Sequence, residues 1–253
     1  MHDYLNNDKD ITTMKLQKLY SHTRKAIELY DMIQENDKIA IGISGGKDSL
    51  TLLYALAGLQ AFYPKKFTLE AITVDLGFGG FDLTGVEKLC KELTVPHTIV
   101  KTQISEIVFS RSPENPCSLC AKMRKGALNE KALELGCNKI AYAHHKDDFI
   151  ETMLMSLLFQ GQFYAFPPVT ALDNTGLTVI RPLMLVEEKD VKGFSNKYHL
   201  PTSKNPCPAD GHTKREYAKT LVTQLNKDNP GAKDRMFHAI VYGNISDWTE
   251  RHE

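Results

Sequence analysis

Five short apolar runs, separated by stretches of helical period, restrict what this chain can fold into. They are KIAIGI (38–43), FTLEAITVD (67–75), PHTIVKT (96–102), NKIAYAH (138–144) and GLTVIRPL (176–183). A strand with apolar residues at most positions must be covered on both faces, which is the condition of a parallel sheet layered by helices. Helical spacing fills the gaps: a leading helix marked by Leu16, Leu19, Ile27, Leu29, Tyr30 and Ile33, then 48–60, 81–93, 118–136 closed by Gly136, and 146–160 closed by Gly161. A helix over 187–199, a Pro-rich loop over 200–211 and a final helical segment from His212 through Leu225 follow. The expectation is an α/β fold with an open parallel sheet and helices on both faces. It has a helical segment at 1–36, an α/β domain at 37–200 that carries the Cys-x-x-Cys pair, and a cysteine-containing loop and helical tail at 201–253.

Lys plus Arg and Asp plus Glu both number 31, so a nucleic-acid partner would have to use a local basic patch rather than the whole surface. No apolar run reaches the roughly 18 residues of a membrane span, and the polar N-terminus has no leader core. The expected location is the cytoplasm, with no membrane partner. The five cysteines are then reduced thiols, available as core residues, ligands or nucleophiles.

The first strand runs into Ser44-Gly45-Gly46-Lys47-Asp48-Ser49 and restarts as an apolar helix. Glycines relieve strain in any strand–helix turn, but this one lacks both G-x-G-x-x-G and a Walker G-K-S/T. Open α/β sheets bind ligands at the carboxyl ends of their strands. There the free N–H groups and the dipole of a helix favour an anion. Ser44, Lys47 and Ser49 add donors and charge, and the glycines let a phosphate approach. Asp48 can cap the helix and help hold Mg2+.

On these residues the chain resembles the PP-loop ATP pyrophosphatases, which cleave ATP between the α- and β-phosphates and adenylate an oxygen. The resemblance implies ATP at Ser44, Gly45, Gly46, Lys47, Asp48 and Ser49, with the adenosine near Asp75. The block AYAHHKDDFIETMLM matches the family's second signature through His144, His145, Asp147, Asp148, Glu151 and Thr152. It implies that His144 touches phosphate or substrate. Asp147 and Asp148 would join Asp48 in a catalytic set that orients ATP or its metal. Helix-starting carboxylates are also explained by the helix dipole alone.

Cys90 lies in an apolar helix and Cys137 before a strand, so both read as small buried hydrophobes. Cys117-x-x-Cys120 enters a helix and Cys207 sits between two prolines. Three thiolates can hold three corners of a [4Fe-4S] cluster and leave the fourth iron open. With the I-R-P-L strand and the late Pro-Cys loop, the motif order from Lys38 to Leu225 is similar to the TtcA-type tRNA 2-thiocytidine synthetases. That similarity implies ATP, Mg2+ and a [4Fe-4S] cluster on Cys117, Cys120 and Cys207, acting on cytidine 32 of a tRNA anticodon loop. It also implies a sulfur donor, either a cysteine desulfurase or free sulfide, and is compatible with a homodimer. Lys122, Arg124, Lys125, Lys214 and Arg215 are the expected contacts to tRNA phosphates, against the plain reading of each as a solvated charge. Many members carry a further cysteine where this chain has Asp210, a residue that could reach the open iron. Related thiouridine synthetases share the loop and cluster, so a uridine target stays open. So do a cluster-free ligase resembling lysidine synthetase and a nucleotide-binding redox sensor.

Overall fold

The computed structural model describes residues 4–111, 116–173, 175–203, 207 and 214–243. Asp210 lies outside them. The elements in chain order are α1 (Tyr4–Leu29), β1 (Asp37–Gly42), α2 (Lys47–Gln60), β2 (Phe67–Asp75), α3 (Thr84–Glu92), β3 (His97–Lys101), α4 (Ile104–Arg111), α5 (Pro116–Glu134), β4 (Lys139–Ala141), α6 (Lys146–Gln160), β5 (Val169–Leu172), β6 (Leu177–Ile180), α7 (Glu188–Lys197), α8 (Lys214–Asp228) and α9 (Ala232–Tyr242).

Two compact units are formed, and they follow packing rather than chain order. One is Met1–His145 with Pro168–Asp210, and the other is Lys146–Pro167 with Gly211–Glu253. The first holds a six-stranded sheet of order β3-β2-β1-β4-β6-β5. Its β1–β2, β2–β3, β1–β4 and β4–β6 ladders are parallel, as the unbroken apolar runs require. The edge strand β5 runs antiparallel to β6, so the sheet is mixed rather than purely parallel. From β1 the chain goes to β2 on one side and returns to β4 on the other, which opens a crevice at the carboxyl ends of β1 and β4.

Side chains alternate across the strands. Ala40, Ile72, Val74, Ile140 and Leu177 form one core with Ile104 and Val108 of α4 and Leu128 and Ala132 of α5. Ile39, Ile41 and Ala71 are fully buried at the intervening positions. On α2, Leu50, Leu52, Leu53, Leu56 and Leu59 are all sealed from solvent, because this helix packs on β1 and β2 and also on α1 and α7. A helix apolar nearly all round is the sequence correlate of that position. At the amino ends of β1 and β4, Lys139 Nζ lies 2.7 Å from the Asp37 carboxylate and donates to Met32 O at 2.8 Å. Asn138 and the Gln34 N–H also donate to Asp37, at 2.7 and 2.6 Å.

The second unit packs α6, α8 and α9 on one another. Phe149 of α6 stacks edge-on to Phe166 and Phe237, at 4.8 and 6.1 Å between centroids. Among the described residues no helix is long and apolar enough to cross a membrane.

Gly58 sits inside α2, where alanine would ordinarily stabilise by about 1 kcal/mol. A Cβ at this position would fall 2.0 Å from the Tyr20 hydroxyl and 2.5 Å from its ring carbon Cζ. Overpacking of a well-filled site costs about 1–3 kcal/mol. Gly58→Ala is therefore expected to lower the unfolding free energy in urea titration, and a gain in stability would reject this account of α1–α2 packing.

Candidate functional site

After β1, Ile43 N–H donates to Ile72 O at 2.8 Å and the chain then leaves the ladder. Gly45 takes φ +76°, and a Cβ there would meet Phe81 at 3.2 Å and Ser203 at 3.3 Å, so both conformation and space call for glycine. Gly46 is the N-cap of α2 and supplies no side-chain cap. Ser49 closes the turn from within: its hydroxyl donates to Gly46 O at 3.0 Å and accepts from Ser44 N and Ser44 Oγ, each at 3.2 Å. The first-turn N–H groups of Lys47, Asp48 and Ser49 have no intrahelical acceptor, and they open where the helix dipole favours an anion. Ser203, remote in sequence, donates its N–H to Gly45 O at 2.9 Å and its hydroxyl to Asp82 O at 2.6 Å.

Lys47 Nζ stands 3.1 Å from Asp48 and 3.3 Å from Glu188. Burial pushes its pKa down, but Asp48 and Glu188 outweigh that and hold it above the ordinary lysine value. Asp48 Oδ1 is buried without a well-aligned hydrogen bond, and His145 Nε2 lies 3.7 Å from it. A hard cation suits such an oxygen. Asp75, at the end of β2, accepts the Gly77 N–H at 3.0 Å and so shapes the glycine-rich turn that follows.

Beyond β4, the Tyr142 ring lies 5.7 Å from the His144 ring, and its buried hydroxyl has no hydrogen-bond partner among the described residues. Burial raises the Tyr142 pKa, while Arg181 and Arg124 act against the shift. Arg181, only 8% exposed, donates Nε–H to His144 Nδ1 at 3.2 Å and Nη1–H to Thr170 Oγ1 at 3.1 Å.

Cys117 is exposed at the start of α5, with Cys120 and Cys207 half-buried, and all five cysteines are free thiols. Burial pushes the Cys120 thiol up, Arg124 pulls it down, and Cys207 and Cys117 push it up again. The three cysteines belong to the same unit, with Cys117 and Cys120 about one helical turn apart on α5. Among the described residues they do not close into a ligand cage. Three cysteine thiols nonetheless match the donor chemistry of an iron–sulfur cluster. Cys90 and Cys137 are buried, and burial raises each thiol to about 11, as expected of core residues rather than ligands. Lys122, Arg124 and Lys125 are exposed on α5.

The remaining expected residues belong to the second unit. Asp147 pairs with Lys233, and Lys146 with Asp234. Arg215 is bound within this unit, to Asp148 at 2.9 Å, Glu151 at 3.2 Å and Thr152 at 3.4 Å. Lys214 lies 4.9 Å over the Phe159 ring, which meets the Tyr217 ring edge-on. Tyr217 and Phe163 are 58% and 70% exposed, so a basic and aromatic surface is on offer here. Sequence reasoning did not single out Arg181, Glu188, Ser203 or Tyr142. The one available signal was a charged residue, Arg181, inside an apolar strand end.

Burial and the neighbouring Asp148 push Glu151 up to about 7 from a carboxylate's ordinary value, against the pull of Arg215 and Lys219. The folded chain then keeps a proton that the unfolded chain has shed. Stability from this group is fully present below the unfolded pKa and is lost as pH rises through about 7. Glu151→Gln should flatten the dependence of unfolding free energy on pH between acid and mildly alkaline buffer. An unchanged slope would show that Glu151 titrates normally.

Residues 11–225 match the PP-loop domain family. A tRNA-cytidine(32) 2-sulfurtransferase of Geobacter sulfurreducens is 36% identical over 239 residues, covering 93% of this chain and 92% of that protein. Another, of Legionella pneumophila, is 37% identical over 88% of this chain and 80% of its own length. Among solved structures, the U34-tRNA thiolase NcsA from Methanococcus maripaludis with its [4Fe-4S] cluster superposes with TM-score 0.76 and 27% identity, covering 90% of this chain and 79% of that one.

Proposed function

The chain belongs to the PP-loop family, and from that premise we propose that it is an ATP-dependent tRNA sulfurtransferase converting cytidine 32 to 2-thiocytidine. The observation that carries the reading is the pairing, within one unit, of a glycine phosphate turn at the sheet's switch point with the Cys117-x-x-Cys120 pair on α5 and Cys207. A pyrimidine C2 carbonyl has no leaving group. Its oxygen attacks the α-phosphorus of ATP and pyrophosphate departs. Sulfide then adds at C2 and AMP leaves with the oxygen. Lys47 and the first-turn N–H groups of α2 hold the pyrophosphate and neutralise its charge. Ser44, Gly45, Gly46 and Ser49 keep that turn in shape, Asp75 borders the adenosine, and Asp48 would hold Mg2+ through its buried oxygen.

Cys117, Cys120 and Cys207 would hold a [4Fe-4S] cluster, which supplies an open iron for sulfur when bound. Asp147 and Asp148, paired here with Lys233 and Arg215, are assigned to orienting ATP or its metal. Lys122, Arg124 and Lys125 meet tRNA phosphates beside the thiols, and Lys214 does so next to Phe159 and Tyr217, whose rings can stack on unpaired bases. Arg215 is assigned to tRNA only on release from its carboxylates. The sulfur comes from a cysteine desulfurase or free sulfide, and the enzyme works in the cytoplasm. The likeness to a U34-tRNA thiolase supports uridine as a second target. The higher identity over most of the chain to cytidine-32 enzymes ranks cytidine first.

Mass spectrometry of tRNA nucleosides from a deletion strain should show loss of 2-thiocytidine; loss of a thiouridine instead would select the second target. Lys47→Ala should abolish thiolation while iron stays bound. Cys117→Ala, Cys120→Ala and Cys207→Ala should each lose both, and Cys90→Ala and Cys137→Ala neither. One tightly bound zinc and no iron-dependent activity would overturn the cluster assignment. Lys214→Ala should weaken tRNA binding and lower its salt slope by roughly one counterion.

A further inference from the structure

Arg181 directly follows β6 and is buried, with its own N–H bound to Pro168 O at 3.1 Å and its Nη1–H to Thr170 Oγ1 at 3.1 Å. The edge pair β5–β6 therefore fixes the guanidinium before it meets anything else. Its Nε–H then points at His144 Nδ1, 3.2 Å away. A guanidinium N–H only donates, so Nδ1 must be the acceptor and the proton of the neutral ring must sit on Nε2. The ring is placed where such a donor matters. The β1–β4 ladder ends at Ile41↔Ala141, so Ser44 of the phosphate turn and His144, each three residues past it, leave neighbouring strand ends. The adjacent His145 is already 3.7 Å from Asp48 at the head of α2.

We propose that Arg181 is a positioning residue that fixes His144 as the Nε2–H tautomer, so that the imidazole donates a hydrogen bond to a phosphate oxygen of the nucleotide. This rests on ATP as the ligand of the turn. A brace for the sheet edge is served by bonds such as those to Pro168 and Thr170; the bond to an imidazole nitrogen selects one of two ring tautomers. Lysine cannot replace the guanidinium, because an ammonium does not reproduce the two-armed fork that spans Thr170 and His144.

The decisive measurement is long-range proton–nitrogen NMR on the full chain with labelled histidine, the His144 signals being assigned by their loss in His144→Ala. The expected pattern is an unprotonated Nδ1 and a protonated Nε2. A ring protonated at Nδ1 would overturn the proposal, with no variant and no substrate involved. In turnover, Arg181→Lys should lower kcat/KM for ATP by about tenfold, the loss of one hydrogen bond to a charged group. His144→Ala with Arg181→Lys should then be no worse than His144→Ala alone. Losses that multiply in the double variant would show that Arg181 acts independently of the ring. A native chain that binds ATP but thiolates no tRNA would sink the assigned reaction and leave the tautomer result standing.

Discussion

The position of β4 beside β1 is the constraint on which the first unit depends. At their amino ends it is held by the Asp37–Lys139 ion pair, sealed by Asn138, the Gln34 N–H and Met32 O. A buried pair of this kind adds little net stability, but removing one partner costs on the order of 3–5 kcal/mol, because the other charge is stranded. No apolar neighbour could satisfy either group, so the pair specifies which strand may stand there. The same adjacency, read at the opposite end of the two strands, sets the phosphate turn after β1 next to the Tyr142–His145 segment after β4. The charges that define the topology and the groups that define the chemistry thus occupy the two ends of one strand pair.

At the chemical end most polar atoms are engaged before any ligand arrives. Ser49 spends its hydroxyl on the turn, Lys47 is shared between Asp48 and Glu188, and Arg181 is divided between Thr170 and His144. Such engagement lowers the reorganisation needed when charge develops on a phosphate. It also explains why the exposed side chains of the first unit's site are few: Ser44, Cys117 and the cations of α5.

The parallel part of the sheet was legible because burial on both faces leaves little room for polar residues, and that absence survives in the sequence as unbroken runs. The edge strand β5 was not legible. Three of its four residues are only partly buried and Ala171 is exposed, so neither alternation nor an apolar run marks them. Short α4 was missed, and α9 begins only after Gly231 takes φ +82°, beyond the last helical segment read from the sequence. The phosphate turn was visible since Gly45 answers to a local demand, a positive φ. Ser203 carries no local mark, and Arg181 only that of a charge at the end of an apolar strand. Their roles come from partners far along the chain, at His144 and Gly45. Conversely, Arg215 looked like a free cation and is held by two carboxylates and a threonine.

The hydrogen bond from Ser203 N–H to Gly45 O is small, but it acts as an anchor point. Cys207 is four peptide units beyond it, and fully stretched chain of that length covers no more than about 14 Å. Chain length alone therefore keeps the Cys207 backbone within that reach of Ser203, which is bonded to the phosphate turn, while Cys117 and Cys120 belong to α5. The separation between the turn and that cysteine is in this way capped by the backbone, over five consecutive residues.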